Sequence, residues 1–198
     1  MNTQNPMLKA ELRRLLLDRR RALTPAEVAR RSLALRQQLF DSFPVAEWSW
    51  LSVFLPIARQ HEPDTWLIIN EVWARKLPVR LAVPVVQPDG RTLCHVELTP
   101  ETRLVENHWG IPEPLGAPEV APTAFDAVLI PLLAFDERGQ RVGYGKGFYD
   151  QFLARCRPAA LRIGVSLEPP GPRIADAWSG DVRLHACLTP ERLWRFDS

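Results

Sequence analysis

Residues 128–153 read VLIPLLAFDERGQRVGYGKGFYDQFL, and this stretch points to a fold class. It begins as an apolar run, and Ala127–Ile130 is predicted to be a buried strand. A glycine-rich turn follows, and Phe148–Leu153 is predicted to begin a helix. A buried strand that leads through a loop into a helix is typical of layered α/β proteins, in which helices cover a sheet.

Further strands are predicted where short runs rich in Val, Ile and Leu are divided by Pro, Gly and Asp. These runs are Leu51–Leu55, Arg80–Val86, Leu161–Val165 and Val182–Leu188. Between the first two, Asp64 and Thr65 begin a helical pattern. The turn signal at residues 88–90 joins the second strand to a hairpin partner near Leu93–Val96. The alternation predicts a three-layer α/β fold.

The first forty residues predict two helices. One apolar helical face is formed by four leucines at helical spacing, namely Leu8, Leu12, Leu15 and Leu16. Thr24 and Glu27 match a capping box with Pro25 at the first helical position, and they open a second helix that ends near Phe40. We therefore expect an N-terminal helical hairpin.

The composition is that of an ordinary globular domain. With 198 residues, of which 46% are hydrophobic and 24% charged, we expect one domain over residues 1–198. The net charge of +2 is too small to indicate a nucleic-acid surface by itself, although arginines are concentrated in the first forty residues and could flank a phosphate. We expect a monomer without a nucleic-acid partner.

Cysteine spacing and apolar runs predict the cellular setting. Cys94, Cys156 and Cys187 are odd in number and lack CxxC or zinc-finger spacing, which favours a reduced cytoplasm. The N-terminus lacks the apolar core of a secretory signal. The longest apolar run, Ala127–Phe135, contains a proline and falls short of the roughly 20 residues of a spanning helix. We expect a cytoplasmic protein without a membrane partner.

The glycine-rich segment is suited to bind phosphate. Gly143, Gly145 and Gly147 allow close approach to the backbone, so that successive N–H groups can converge on an anion, and Lys146 adds a mobile charge. The spacing matches neither GxxxxGK[ST] nor GxGxxG. A flexible turn before a helix is the simpler alternative for these glycines alone.

Several motifs along the chain occur in the order known from one family. Residues 128–153 resemble the signature of 5-formyltetrahydrofolate cyclo-ligases, also called methenyltetrahydrofolate synthetases. Further positions agree: Lys9 and Arg13, residues 54–56 (FLP), Glu62 and Thr65, residues 109–114 (WGIPEP), Asp181, and residues 188–190 (LTP). The chain departs from the pattern at Pro131-Leu132 and in the loop at residues 168–170.

The resemblance implies a fold akin to the ribose-isomerase and CoA-transferase group. It also implies that ATP and Mg²⁺ are used to convert 5-formyltetrahydrofolate to 5,10-methenyltetrahydrofolate, with release of ADP and phosphate. The formamide oxygen is a poor leaving group until it is phosphorylated. Catalysis of such a transfer is mostly positioning and neutralisation of charge, which backbone N–H groups, lysines and Mg²⁺ supply.

The resemblance also implies roles for individual residues. The residues implied to bind ATP are Lys9, Arg13, Arg141, Gly143, Tyr144, Gly145, Lys146, Gly147, Phe148 and Tyr149. The residues implied to bind the folate are Phe54, Leu55, Glu62, Trp109, Phe148 and Tyr149. Lys146 and Tyr149 are implied as catalytic residues, and Asp150 and Asp181 as ligands of Mg²⁺.

Each assignment has a simpler alternative. Lys9 and Arg13 can equally be solvated helix charges, and Glu62 a carboxylate near a helix N-terminus. Asp150 can cap its helix, and Asp181 can belong to a turn. A single aromatic residue is more often part of a core than of a ligand pocket.

Two other functions compete with the cyclo-ligase interpretation. One is a nucleotide- or RNA-binding module that uses the arginine-rich helices, although no stacking motif of an RNA domain is present. The other is a kinase or ligase that acts on a different small molecule with the same phosphate loop. Dependence of ATP use on the folate distinguishes all three.

Overall fold

A seven-stranded sheet forms the centre of the protein in the computed structural model, which describes residues 5–107 and 112–197. In spatial order its strands are β11 (Leu193–Arg195), β10 (Ala186–Leu188), β9 (Leu161–Val165), β6 (Ala127–Pro131), β1 (Trp50–Ser52), β2 (Arg80–Val86) and β3 (Leu93–Leu98). The five inner strands are parallel, and β3 and β11 are antiparallel to their neighbours. The loops that follow the parallel strands therefore meet at one end of the sheet.

Helices cover both faces of this sheet. α2 (Pro25–Ser42) and α3 (Trp66–Ala74) cover one face, and α4 (Phe148–Leu153) covers the other. Because side chains alternate along a strand, Leu129 of β6 packs in the first cluster and Ile130 in the second. The predicted three-layer α/β class is confirmed. Within the described residues, no helix is long and apolar enough to cross a membrane.

The first helix, α1 (Lys9–Arg21), packs on a small hairpin of β7 (Ala134–Phe135) and β8 (Arg141–Val142). Its Leu12 and Leu16 join a buried cluster there, separate from the cluster that holds α2. Both predicted N-terminal helices are thus present, but their buried side chains lie in different clusters. Since β8 continues into the glycine-rich loop, this packing holds α1 beside the loop.

Several predicted strands differ in extent from the structure. The bounds of β2 and β9 match the prediction. The strand predicted over Leu51–Leu55 ends at Ser52, because the Phe54 carbonyl accepts a hydrogen bond from the Thr65 hydroxyl instead of from a neighbouring strand.

The strand predicted over Val182–Leu188 begins only at Ala186, because the Val182 N–H donates to the Asp150 carboxylate, at 3.0 Å. Five short strands were not predicted: β4 (Leu104–Glu106), β5 (Pro112–Pro114), β7, β8 and β11. Strands of two or three residues are too short to show an alternating pattern.

Candidate active site

The glycine-rich loop, residues 143–147, connects β8 to α4. Gly145 and Gly147 have φ values of 87° and 71°, which lie in the left-handed region that side chains disfavour. α4 contains only six residues, so few peptide dipoles add up at its N-terminus. Attraction for phosphate at this loop therefore depends mainly on its own N–H groups and on neighbouring cations.

Two cations of α1 lie near the loop. Arg13 Nε donates to the Gly143 carbonyl at 2.9 Å, and the guanidinium carbon lies 3.2 Å from the position that a Cβ on Gly145 would take. Glycine at position 145 therefore permits this close approach. Lys9 Nζ lies 2.5 Å from Asp181 Oδ2. One predicted ATP-binding cation thus contacts the loop, and the other contacts a predicted metal ligand.

Lys146 differs from the other cations near the loop. Its side chain is exposed, and it forms no hydrogen bond or ion pair within residues 5–107 and 112–197. Lys9, Arg13 and Arg141 all have protein partners. Lys146 is therefore free to contact an incoming anion without first breaking an internal bond.

The predicted metal ligands Asp150 and Asp181 lie close together. Asp150 Oδ1 pairs with Arg141 Nη2 at 2.7 Å and accepts the Val182 N–H at 3.0 Å. Val182 follows Asp181 in the chain, and the Asp181 carboxylate binds Lys9 through Oδ2. Within the described part of the chain, Asp150 Oδ2 and Asp181 Oδ1 accept no hydrogen bond. Burial lowers the pKa of Arg141, and the two carboxylates oppose this shift.

Glu62 lies in the loop after β1 and is 4% exposed. The Ile57 N–H donates to its Oε2 at 2.8 Å, and the Tyr144 hydroxyl donates to its Oε1 at 2.7 Å. Burial raises the pKa of Glu62, while these two donors and the Arg20 charge oppose the shift. Glu62 is thus a buried, hydrogen-bonded carboxylate four residues before α3, and both its role in folate binding and the alternative of a carboxylate near a helix N-terminus stay predictions.

Tyr149 has a buried hydroxyl that finds no hydrogen-bond partner within the described residues. Burial, followed by the charge of Glu62, raises the pKa of Tyr149, and Arg141 opposes this shift. The phenol therefore lies within electrostatic reach of both groups and stays protonated at neutral pH. Buried polar groups usually have partners, so this hydroxyl is a candidate to contact a ligand.

The predicted apolar folate contacts fall into three groups. Phe54 and Leu55 are 3% and 7% exposed and pack in the core beneath α2 and α3. Phe148 and Tyr149 are partly exposed at the start of α4. Trp109 lies outside the described residues. The roles of all five residues in folate binding stay predictions.

The chain matches a known protein family over most of its length. The sequence model of the 5-formyltetrahydrofolate cyclo-ligase family matches residues 6–166. The chain belongs to this family. Over 190 residues it is 31% identical to the 5-formyltetrahydrofolate cyclo-ligase of Escherichia coli, and the aligned region covers 92% of this chain and 100% of that protein. Over 164 residues it is also 31% identical to the mouse cyclo-ligase, and the aligned region covers 79% of this chain and 76% of that protein.

Solved structures with the same fold include two methenyltetrahydrofolate synthetases. The protein from Aquifex aeolicus superimposes with a TM-score of 0.77 at 28% identity, covering 97% of this chain and 94% of that chain. The protein from Mycoplasma pneumoniae has a TM-score of 0.75 at 23% identity, covering 93% of this chain and 100% of that chain, and shows the fold alone. The predicted family, fold class and ligase activity are thus confirmed.

Sequence reasoning missed Arg20, which contacts Tyr144 of the glycine-rich loop and so lies at the candidate site. Its guanidinium is buried, at 5% exposure, and Nη2 donates to the Tyr144 hydroxyl. A signal was present, since Arg13, Leu16 and Arg20 recur at helical spacing and so share one face of α1.

Proposed function

We propose that the chain catalyses the ATP-dependent cyclisation of 5-formyltetrahydrofolate to 5,10-methenyltetrahydrofolate, and that residues 143–147 bind the phosphates of ATP. The observation that supports the site assignment is Lys146, an exposed cation of the glycine loop that has no partner within residues 5–107 and 112–197, whereas Lys9, Arg13 and Arg141 nearby are all bonded. Such a lysine is suited to follow the phosphoryl group during transfer.

The reaction needs positioning and charge neutralisation more than a protein nucleophile. The formyl oxygen attacks the γ-phosphorus and ADP leaves. The second folate nitrogen then attacks the formyl carbon and loses its proton to water, and the bond from that carbon to the phosphorylated oxygen breaks to release inorganic phosphate. Lys146 and the N–H groups of residues 143–147 stabilise the charge on the transferred phosphoryl group, and Arg13 supports the loop from α1.

Glu62 and Tyr149 provide the polar contacts on the folate side. A buried carboxylate is complementary to the adjacent N–H donors of a pterin ring, because it can accept further hydrogen bonds besides those from Ile57 and Tyr144. The hydroxyl of Tyr149, which has no hydrogen-bond partner among the described residues, is available to orient the substrate. Phe148, with Phe54 and Trp109 as predicted from the family, supplies apolar surface for the ring.

Asp150 and Asp181 would hold Mg²⁺ together with phosphate oxygens, whose charge the metal ion would neutralise. The described residues contain no cluster of three or more acidic, histidine or cysteine side chains that could hold a metal ion. Two carboxylates nevertheless fit, because Mg²⁺ commonly uses one or two carboxylates plus phosphate and water. Each aspartate keeps one oxygen free of hydrogen bonds from the described chain.

The setting proposed for the enzyme is a single-domain, monomeric protein of the cytoplasm. Cys94, Cys156 and Cys187 are free thiols. Burial raises the pKa of Cys156 to about 11, which keeps that thiol protonated and unreactive at neutral pH. Unpaired and protonated cysteines suit a reducing compartment.

Two measurements test the function and its metal site. Purified protein is mixed with ATP, Mg²⁺ and 5-formyltetrahydrofolate, and the near-ultraviolet band of the methenyl product is followed together with ADP. Both products should form only in the complete mixture, and ATP hydrolysis at an equal rate without the folate would contradict the proposal.

A Mg²⁺ titration tests the metal site. Asp150→Asn and Asp181→Asn should each need a higher Mg²⁺ concentration for half-maximal activity, and unchanged titration curves in both variants would remove these residues from the metal site.

A further inference from the structure

The protein itself holds both carboxylate oxygens of Glu62. The Ile57 N–H and the Tyr144 hydroxyl donate to opposite oxygens, at 2.8 and 2.7 Å. Two donors at opposite ends fix the plane of the carboxylate. Since an ionised carboxylate has about four acceptor positions, two remain for a ligand.

Tyr144 joins Glu62 to the glycine-rich loop. It lies between Gly143 and Gly145, its side chain crosses to the loop after β1, and the residue is 38% exposed. Its hydroxyl donates to Glu62 and accepts a hydrogen bond from Arg20 Nη2. One hydroxyl group therefore links α1, the glycine-rich loop and Glu62.

Arg20 is held on several sides. Its guanidinium carbon lies 5.6 Å from the centroid of the Tyr144 ring, and Nη1 donates to the Leu132 carbonyl at 3.4 Å. A buried charge needs compensation, and the Glu62 charge supplies it through the phenol. Arg20 is thus the fixed end of the link, because α1 is anchored by its own apolar cluster.

Three buried polar atoms near this link have no hydrogen-bond partner among the described residues. They are Arg20 Nε, Gln60 Oε1 and the Tyr149 hydroxyl. Gln60 is two residues from Glu62, and the charge of Glu62 acts on Tyr149. Unsatisfied buried groups are rare in native proteins, so a set of them beside one carboxylate indicates a place where a polar ligand binds.

We propose that Arg20 and Tyr144 are positioning residues, which orient the Glu62 carboxylate for the folate and tie it to the glycine-rich loop. This inference rests on the proposed function, because it takes Glu62 as a folate contact and the loop as the phosphate site. A nucleotide held by residues 143–147 constrains the backbone on both sides of Tyr144, and so limits the movement of the hydroxyl that holds Glu62. Nucleotide binding therefore strengthens folate binding.

The test uses Tyr144→Phe, which keeps the ring over Arg20 and removes only the hydroxyl. A second variant, Arg20→Lys, keeps the charge but cannot reproduce the planar set of donors. Arg21→Lys is the matched control, since Arg21 is the exposed neighbour on α1. Binding of 5-formyltetrahydrofolate is measured with and without a non-hydrolysable imido analogue of ATP. Binding of the analogue is measured without the folate, and KM is measured for the folate.

In the wild-type enzyme, the ATP analogue should tighten folate binding by about fivefold or more. Tyr144→Phe should remove this tightening and raise the KM for the folate about tenfold, because a hydrogen bond to a buried charge is lost. With the folate absent, binding of the ATP analogue should change by less than about twofold, since the loop keeps its phosphate-binding N–H groups. Arg20→Lys should show the same pattern, and Arg21→Lys should match the wild type.

Two results would overturn the inference. One is equal tightening by the analogue in the wild type and in Tyr144→Phe. The other is weaker binding of the ATP analogue in the absence of folate together with a lower melting temperature, which shows that the hydroxyl only supports the fold. If the wild type itself forms no methenyl product, the proposed function fails and this inference fails with it, and that result is visible before any variant is made.

Discussion

At the scale of single residues, Lys146 is the clearest test of the phosphate site. We expect Lys146→Ala to lower kcat by about 100-fold or more, because a charge-assisted contact to the transferred phosphoryl group is lost in a partly dehydrated site. The melting temperature should not change, since the side chain is exposed and forms no bond within the described residues. Kinetic assays and thermal unfolding measure the two quantities.

The control for this variant is Lys76→Ala, which removes another exposed lysine from the turn after α3. It should keep wild-type activity. Near wild-type activity of Lys146→Ala at an unchanged melting temperature would make Lys146 an ordinary surface lysine and remove the main support for the phosphate loop.

Glu62 predicts a dependence of stability on pH. Burial raises the pKa of Glu62 above the ordinary value of 4.5. Between pH 4.5 and its pKa in the folded protein, the folded state therefore keeps a proton that the unfolded chain has released. Stability from this group is therefore full below pH 4.5 and is lost as the pH rises through the folded pKa. Glu62→Gln does not titrate, so its free energy of unfolding relative to the wild type should increase from pH 4.5 toward neutrality.

Denaturant unfolding at a series of pH values measures this difference. Glu101→Gln serves as the control, because it removes an exposed carboxylate and should show the pH profile of the wild type. A constant difference between Glu62→Gln and the wild type over the same range would show that Glu62 titrates alike in the folded and unfolded chains.

At the scale of structural elements, the glycine-rich loop depends on its left-handed residues. Gly145→Ala places a Cβ at a φ of 87° and 3.2 Å from the Arg13 guanidinium, so both the loop and the cation must move. The backbone alone should cost about 1–2 kcal/mol. We expect a comparable loss of stability and a larger loss of activity, because the N–H groups no longer converge on phosphate.

Gly90→Ala is the matched control for Gly145→Ala. Gly90 has a φ of 65° in the turn between β2 and β3, and an added Cβ would meet no atom within 4 Å. This variant should lose similar stability but keep its turnover number. Equal turnover numbers in the two folded variants would contradict a role for the loop conformation in catalysis.

The elements differ in how well the sequence predicted them. β2 and β9 matched because long, buried apolar runs bounded by turn residues can be recognised locally. β7 and β8 were missed, although they carry the glycine-rich loop, because two-residue strands are defined by their pairing and by the packing of α1. The sequence pattern of α1 showed its apolar face but not the surface on which that face packs.

At the scale of the whole molecule, the family motifs predicted more of the candidate site than local chemistry did. The glycines and Lys146 were recognised from their own spacing, whereas Glu62 and Asp181 were recognised only through the family resemblance. The link from Arg20 through Tyr144 to Glu62 joins three distant segments. Such contacts depend on tertiary packing, so a single sequence without an alignment does not reveal them.

The central claim is that the formyl oxygen of the folate accepts the phosphoryl group of ATP in the site around residues 143–147. The most direct test is to label that oxygen with oxygen-18 and to analyse the released phosphate by mass spectrometry. We expect each phosphate to carry one labelled oxygen, with one ADP formed for each methenyl product. Unlabelled phosphate, with the heavy atom released as water, would contradict the mechanism.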